Sequence, residues 1–200
     1  MNHIKTTFND WNFEKKVTAL IIHGFAIAHA VTAFTLSQTV GGDELALTAL
    51  TIAMIECIAR ANGRDWDAGE ALSIMGIILG SYIGIRLGVM FVKLFPGPGN
   101  LANATATFLT TEFLGWLTYA IVKQDKNPSQ LTKEEKEELK KAAKKLQKDK
   151  TGEELYKKMS AEDKEKFNDL MKQFAKIDRD NDAERERLIQ ELEEITKKYG

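Results

Sequence analysis

Residues 17–36 read VTALIIHGFAIAHAVTAFTL, twenty positions without a formal charge. At about 1.5 Å rise per residue, a helix of that length reaches roughly 30 Å, the thickness of a bilayer's hydrocarbon core. The choice between a membrane span and the middle of a helical bundle decides the fold.

Three further apolar runs follow. Gly41 and Gly42 end the first run, and Asp43 offers an N-cap to LALTALTIAMIECIARANG, which stops at Gly63. The third run covers about residues 68–95 and is closed by PGPG, where Pro96 and Pro98 cannot continue a helix. The fourth, about residues 101–122, holds a single charge, Glu112. The second run has only about fifteen uninterrupted apolar or small residues, and Arg86 and Lys93 interrupt the third, so these two are marginal spans. None of the four has the broad polar face of a helix in a water-soluble bundle.

The loop charges alternate. Lys5, Lys15 and Lys16 precede the first run, Arg60 and Arg64 separate the second from the third, and Lys123 and Lys126 follow the fourth. The connections GGDE and PGPGN carry no Lys or Arg. This is the positive-inside pattern of four spans with both termini cytoplasmic. The expectation is an apolar four-helix membrane module over residues 1–124. An apolar four-helix domain packed in an oligomer, or hairpins lying partly in the interface, is the alternative. The polar residues before the first run, with Trp11 and Phe13 among them, do not read as a cleavable signal, so the first run is expected to stay as an anchor.

Charge divides the chain at about residue 124. Residues 1–124 carry 17 charged side chains and residues 125–200 carry 40, so the mean hydropathy of -0.28 averages two different materials. The net charge of -1 gives no field that would favour nucleic acid. The single cysteine, Cys57, excludes an internal disulfide or a multi-cysteine metal site within one chain.

Within the third run, Gly76, Gly80, Gly84 and Gly88 recur every four residues. Each costs about 1 kcal/mol of helix propensity relative to alanine, and the spacing puts all four on one stripe where another backbone can come close. Tight packing inside the chain and a glycine zipper between subunits both fit. Glu56 and Arg60, four apart, fall on one helical face and are expected to pair; Arg86 and Glu112 are expected to pair between the third and fourth helices. His23 and His29, six apart, lie on different faces and form no metal pair. Structural hydrogen bonding is their expected role, with pH sensing or lumen lining as the alternative.

Residues 25–124 contain an ordered set of patterns. A short acidic turn (Gly42, Asp43) precedes a helix carrying Met54, Ile55, Ile58, Ala59 and Gly63; a turn with Pro96, Gly97 and Gly99 follows, then Thr111, Leu114 and Gly115. In these residues the chain resembles a bacterial helical domain of unknown function, found in YcjF-type inner-membrane proteins and behind Era-like or dynamin-like GTPase domains. The resemblance implies a membrane-associated helical module that serves a GTPase, and it brings no catalytic residues with it. The chain departs from the fused relatives in lacking a GxxxxGK[ST] phosphate loop, and its GGD turn lacks a proline that relatives commonly carry nearby.

Residues 125–200 read as short amphipathic helices of a cytoplasmic tail. Thr132 with Glu135, and Thr151 with Glu154, have capping-box spacing, and Ser160 is an N-cap candidate. Narrow apolar stripes follow, namely Leu139/Ala142/Ala143/Leu146, then Phe167/Leu170/Met171/Phe174/Ile177, then Leu188/Leu192/Ile195/Tyr199. These are expected to pack on each other, on the apolar module, or on neighbouring subunits. Asp178, Asp180 and Asp182 imitate a calcium loop, but Ala183 and Ile189 stand where such a loop needs glycine and glutamate.

No nucleophile–base pair, metal cluster or cofactor fingerprint appears, so the chain is expected to be an all-α, non-enzymatic protein without a cofactor. The leading expectation is a bacterial inner-membrane protein that self-associates through its third helix as a scaffold or pore. Its partners would be the lipid bilayer and copies of itself, with no nucleic acid. The rivals are a membrane adaptor for a separate GTPase and a soluble structural oligomer.

Overall fold

The computed structural model describes residues 8–36, 43–79, 101–176 and 181–199. Within them the chain is helical, without a strand: α1 (Phe8–Leu36), α2 (Asp43–Ala61), α3 (Ala68–Leu79), α4 (Leu101–Lys123), a 3-10 turn (Pro128–Gln130), α5 (Lys133–Leu146), α6 (Thr151–Lys158), α7 (Ala161–Lys176) and α8 (Asp182–Tyr199). The all-α expectation holds. The first helix starts well before the apolar run, because Phe8–Lys16 supplies early acids and Phe13, which packs against the core beneath Lys197. The expected third run is described only to Leu79, and its PGPG turn lies outside the described residues.

Local chemistry accounts for the breaks. Gly63 takes a left-handed φ of 74°, and the Gly63 and Arg64 amides fold back onto the Arg60 and Ala59 carbonyls. The Asp67 carboxylate accepts from the Gly69 and Glu70 amides to start α3. Thr132 and Glu135 form the expected capping box, and Ser160 accepts from the Asp163 amide at 3.1 Å. Thr151 does not form its box. It is already inside α6, and its amide donates to the Asp149 carboxylate at 2.8 Å instead.

Helix α1 is the axis of the molecule. Asn62 at the end of α2 donates to Thr18 at 3.0 Å, and Lys123 at the end of α4 pairs with Glu14, so α2 and α4 both run antiparallel to α1. The ion pair between Arg64 and Asp125 joins the same end. The loop cations Lys15, Arg60, Arg64, Lys123 and Lys126 are thereby gathered at one end of the apolar helices.

The charged segment then closes over α1. Helix α5 runs back along α4, from Lys126–Glu135 to Gln147, which donates to the Leu109 carbonyl at 2.7 Å. Helices α6, α7 and α8 all contact α1. Every residue from Val17 to Ala26 is buried, and one hydrophobic core runs from Leu20, Ile21 and Phe25 through Met54 and Leu117 to Phe167, Leu170, Leu188 and Leu192. The apolar stripes read from the charged segment are the outer half of that core.

Three glycines make the close approaches. A Cβ on Gly152 of α6 would stand 2.2 Å from the Ala19 carbonyl oxygen, and one on Gly24 of α1 would stand 2.4 Å from the Phe167 ring. At Gly115 of α4 it would meet Ile22 at 2.6 Å. Gly76, by contrast, has nothing within 4 Å of such a Cβ among the described residues.

Among the described residues, no helix is long and apolar enough to cross a membrane. In α4 the reason is compositional. Thr107, Thr111 and Thr118 are buried there, and the hydroxyls of the last two donate to carbonyls one turn back at 2.9 Å, which lets a polar helix sit in a core.

The glycines predict opposite outcomes in urea unfolding. Gly152→Ala meets a backbone atom that cannot turn aside, so we expect a loss of about 1–3 kcal/mol. Gly76→Ala gains helix propensity with no clash, so it should be neutral or more stable by up to about 1 kcal/mol. Equal effects at the two positions would contradict the packing described.

Candidate functional site

With the fold assembled, the polar groups buried between the apolar helices and the charged segment stand out as the candidate site. Glu56 on α2 is buried and forms an ion pair at 3.3 Å with Arg185 on α8, itself almost enclosed. The buried Cys57 thiol sits next to it in sequence. One turn on, Arg60 reaches Asp65 at 2.6 Å and Asp182 at 2.8 Å. The spacing of Glu56 and Arg60 does put both on the side of α2 that meets α8, but each carries an ion pair to another segment. Arg185 was missed in the sequence because nothing local to α8 marks it.

A second group lies where α1, α4 and α6 meet. His23 Nδ1 is 3.6 Å from Glu112 Oε1, and the imidazole stands edge-on to Phe108 at 5.5 Å and tilted against Tyr156 at 5.7 Å. Among the described residues Nδ1 has no hydrogen-bond partner within normal distance. Glu112 was expected to pair with Arg86, which lies outside the described residues. The Gly152 contact brings α6 onto His23 as well, so this ring touches both halves of the chain.

His29 is fully buried. Its Nδ1 is 2.8 Å from the Phe25 carbonyl, and its Nε2 is 3.0 Å from the Thr51 hydroxyl. That ties α1 to α2 and fits the structural role. Of the glycine series only Gly76 is described; Gly80, Gly84 and Gly88 lie outside the described residues.

The surface groups that hold the charged segment are strongly ionic. Lys15 of α1 pairs with Asp149 before α6. Burial works against the charge on Asp149, but hydrogen bonds from Lys15 and Thr151 outweigh it and hold the carboxyl below its usual range. Asp163 of α7 accepts from Lys198 at 2.6 Å and from Tyr199, both on α8, which pulls its pKa down to about 2. Among the described residues no group of His, Cys, Asp or Glu is arranged to hold a metal ion. Asp182, the one aspartate of the calcium-like run that is described, is engaged with Arg60. What these contacts do chemically is dock one set of helices on another.

Breaking the buried pair from one side should be costly. Arg185→Met strands the Glu56 carboxylate and is expected to lose about 3–5 kcal/mol in urea unfolding, while Glu56→Leu combined with Arg185→Leu should recover most of it. A double variant no better than the single would contradict a docking role for the pair. The lowered pKa of Asp163 sets an acid limit. Its stabilisation is complete above the ordinary value of 3.8 and is lost as pH falls through about 2. Hydrogen exchange at the end of α8 should therefore rise between those values, and Asp163→Asn should remove that dependence.

No protein-family model, curated protein or solved structure matches this chain.

Proposed function

We propose that the chain is a non-catalytic, membrane-associated helical module of a bacterial inner membrane, working as a self-assembling scaffold with its charged helices on the cytoplasmic side. The observation that carries this reading is the sorting of charge along the helix axis. Lys15, Arg60, Arg64, Lys123 and Lys126 collect at one end, held by the Glu14–Lys123 and Arg64–Asp125 pairs. Toward the other end, residues 27–32, 47–53 and 104–111 contain no charged side chain. The five cations are all ion-paired with acids, so this end is charge-rich rather than net basic, and it supports a helical module set against a bilayer with that end on the cytoplasmic side. The proposal is of association rather than of four spans, since no described helix is long and apolar enough to cross a bilayer and the charged helices pack directly on α1.

Self-association rests on Gly76. Among the described residues nothing lies within 4 Å of a Cβ on Gly76, which leaves room for the backbone of a second copy. The resemblance over residues 25–124 adds an adaptor form of the same reading, with a GTPase as the client.

A second reading has its own support. Enclosure of Val17–Ala26 by helices rich in lysine and glutamate supports the soluble structural alternative, in which the charged helices face water. Fractionation separates the two. A membrane-associated scaffold should stay with the membrane fraction through a high-salt wash and give discrete oligomers after mild detergent, and Gly76→Leu should reduce them to smaller species. Full release of the chain without detergent would remove the membrane reading and leave the oligomer. Unchanged oligomers in Gly76→Leu would remove the third helix as the contact.

A further inference from the structure

Helix α5 divides its charges along its length. Its first two turns carry Glu134, Glu135, Glu137 and Glu138 with Lys133 and Lys136 among them, and its last turns and the following loop carry only bases, Lys140, Lys141, Lys144, Lys145 and Lys148. Part of this serves the helix itself, because acids favour an N-terminus and bases a C-terminus. Glu137 is held by Lys140 at 2.9 Å, and Glu135 by Lys126 at 2.6 Å.

Six lysines of this stretch are left without an ion pair among the described residues: Lys133 and Lys136 among the early glutamates, and four together at the far end. Lys141, Lys144, Lys145 and Lys148 are all exposed, and none has an ion-pair partner among the described residues. Their spacing of three and four puts Lys141, Lys144 and Lys145 on one stripe of α5, and Lys148 follows in the turn after it. That stripe is diametrically opposite Leu139 and Ala143, the residues by which α5 is buried against the core. Asp149, next to Lys148, is already taken by Lys15, and Glu137, which also feels Lys141 and Lys144, is held by Lys140.

Beside the end of this stripe is Leu109. Its carbonyl accepts from Gln147, and its side chain is 49% exposed, one of two large exposed hydrophobics among the described side chains. Leu109 belongs to the stretch of α4 that carries no charge. A cluster of cations without ion-pair partners near one half-exposed leucine complements a surface that is negative at its face and apolar just beneath. Anionic lipid headgroups over acyl chains have that order. A nucleic-acid backbone would reward the lysines but not the leucine, and the chain's net charge of -1 supplies no wider attractive field.

We propose that the outward face of α5 and the loop after it, carried by Lys141, Lys144, Lys145 and Lys148, is a docking surface for an anionic lipid bilayer. The proposal rests on the membrane-associated reading and says which face of the charged segment meets the headgroups. It makes α5 an electrostatic contact, reversible and sensitive to salt, in addition to whatever the apolar helices contribute.

The test is co-flotation of the full chain with phosphatidylcholine vesicles, with and without about a third phosphatidylglycerol, at two salt concentrations. We expect a preference of at least about tenfold for the anionic vesicles, shrinking as salt rises. Changing Lys141, Lys144, Lys145 and Lys148 together to Glu should abolish that preference, and changing them to Arg should keep it. Leu109→Ser should weaken binding with the preference unchanged. Glutamates at the end of α5 oppose the helix dipole, so the fold of the Glu variant is checked by circular dichroism, and changing the four lysines to Gln, which only removes their charge, should abolish the preference as well. A Glu variant that binds like the parent overturns the proposal, as does a parent that binds neutral and anionic vesicles equally; both leave the membrane reading in place. A parent that floats with no vesicles, and is released from cells without detergent, overturns both. Salt-sensitive binding to duplex DNA by a parent that ignores vesicles, lost in the Glu variant, would assign the face to nucleic acid and overturn the proposal.

Discussion

Between Val17 and Ala26 the first helix has no face left for water, and the rest of the structure is arranged around that enclosure. Five helices have to reach one apolar rod. The limiting approach is that of α6, whose Gly152 lies against the Ala19 carbonyl where no side chain fits. Gly24 makes the same concession to the Phe167 ring, and Gly115 to Ile22. Each helical glycine gives up about 1 kcal/mol of propensity, and burial of a single large side chain such as Phe167 returns roughly twice that. Enclosure also explains how α5 to α8 are stable at all. Their stripes are too narrow for a core of their own, and they become half of a common one only because α1 receives α6 to α8 and α4 receives α5.

Register in such a core is the harder requirement. Apolar surfaces of leucine and isoleucine tolerate sliding, whereas a buried carboxylate does not tolerate losing its cation. Glu56–Arg185 therefore sets where α8 lies on α2, and the Arg60–Asp182 and Lys15–Asp149 contacts repeat the instruction nearer the surface. Buried threonines do the opposite. Thr111, Thr118 and Thr196 satisfy themselves on their own helix and leave the packing undirected. The division between self-satisfied hydroxyls and cross-connecting charges is what makes the charged segment a specifically docked layer.

Much of this was legible in the sequence where the signal was local. The stop at Gly63, the Thr132–Glu135 box, the Ser160 cap and the stripe through Phe167, Leu170, Met171 and Phe174 all follow from neighbours within a few residues, and each appears in the fold. Partners far along the chain were not legible. Arg60 lies one turn from Glu56, and Arg185 is brought to the same carboxylate only by the folding of α8 onto α2. The close-packed glycines were equally hard to read. A repeat of four drew attention to Gly76 and its successors, while the isolated Gly24, Gly115 and Gly152, which have the close contacts, carry no pattern. Their one sequence signal is a helix-breaking residue kept inside a helix.

The central claim is that the charged segment is docked on α1, and zero-length carbodiimide coupling of the unmodified chain, followed by peptide mass spectrometry, tests it most directly. Glu14–Lys123 joins two apolar helices and reports that the inner bundle is formed; Lys15–Asp149 joins α1 to the charged segment. The account predicts both amide links within single chains. Recovery of the Glu14–Lys123 link without the Lys15–Asp149 link would contradict it, leaving the apolar helices folded and the charged segment free of them.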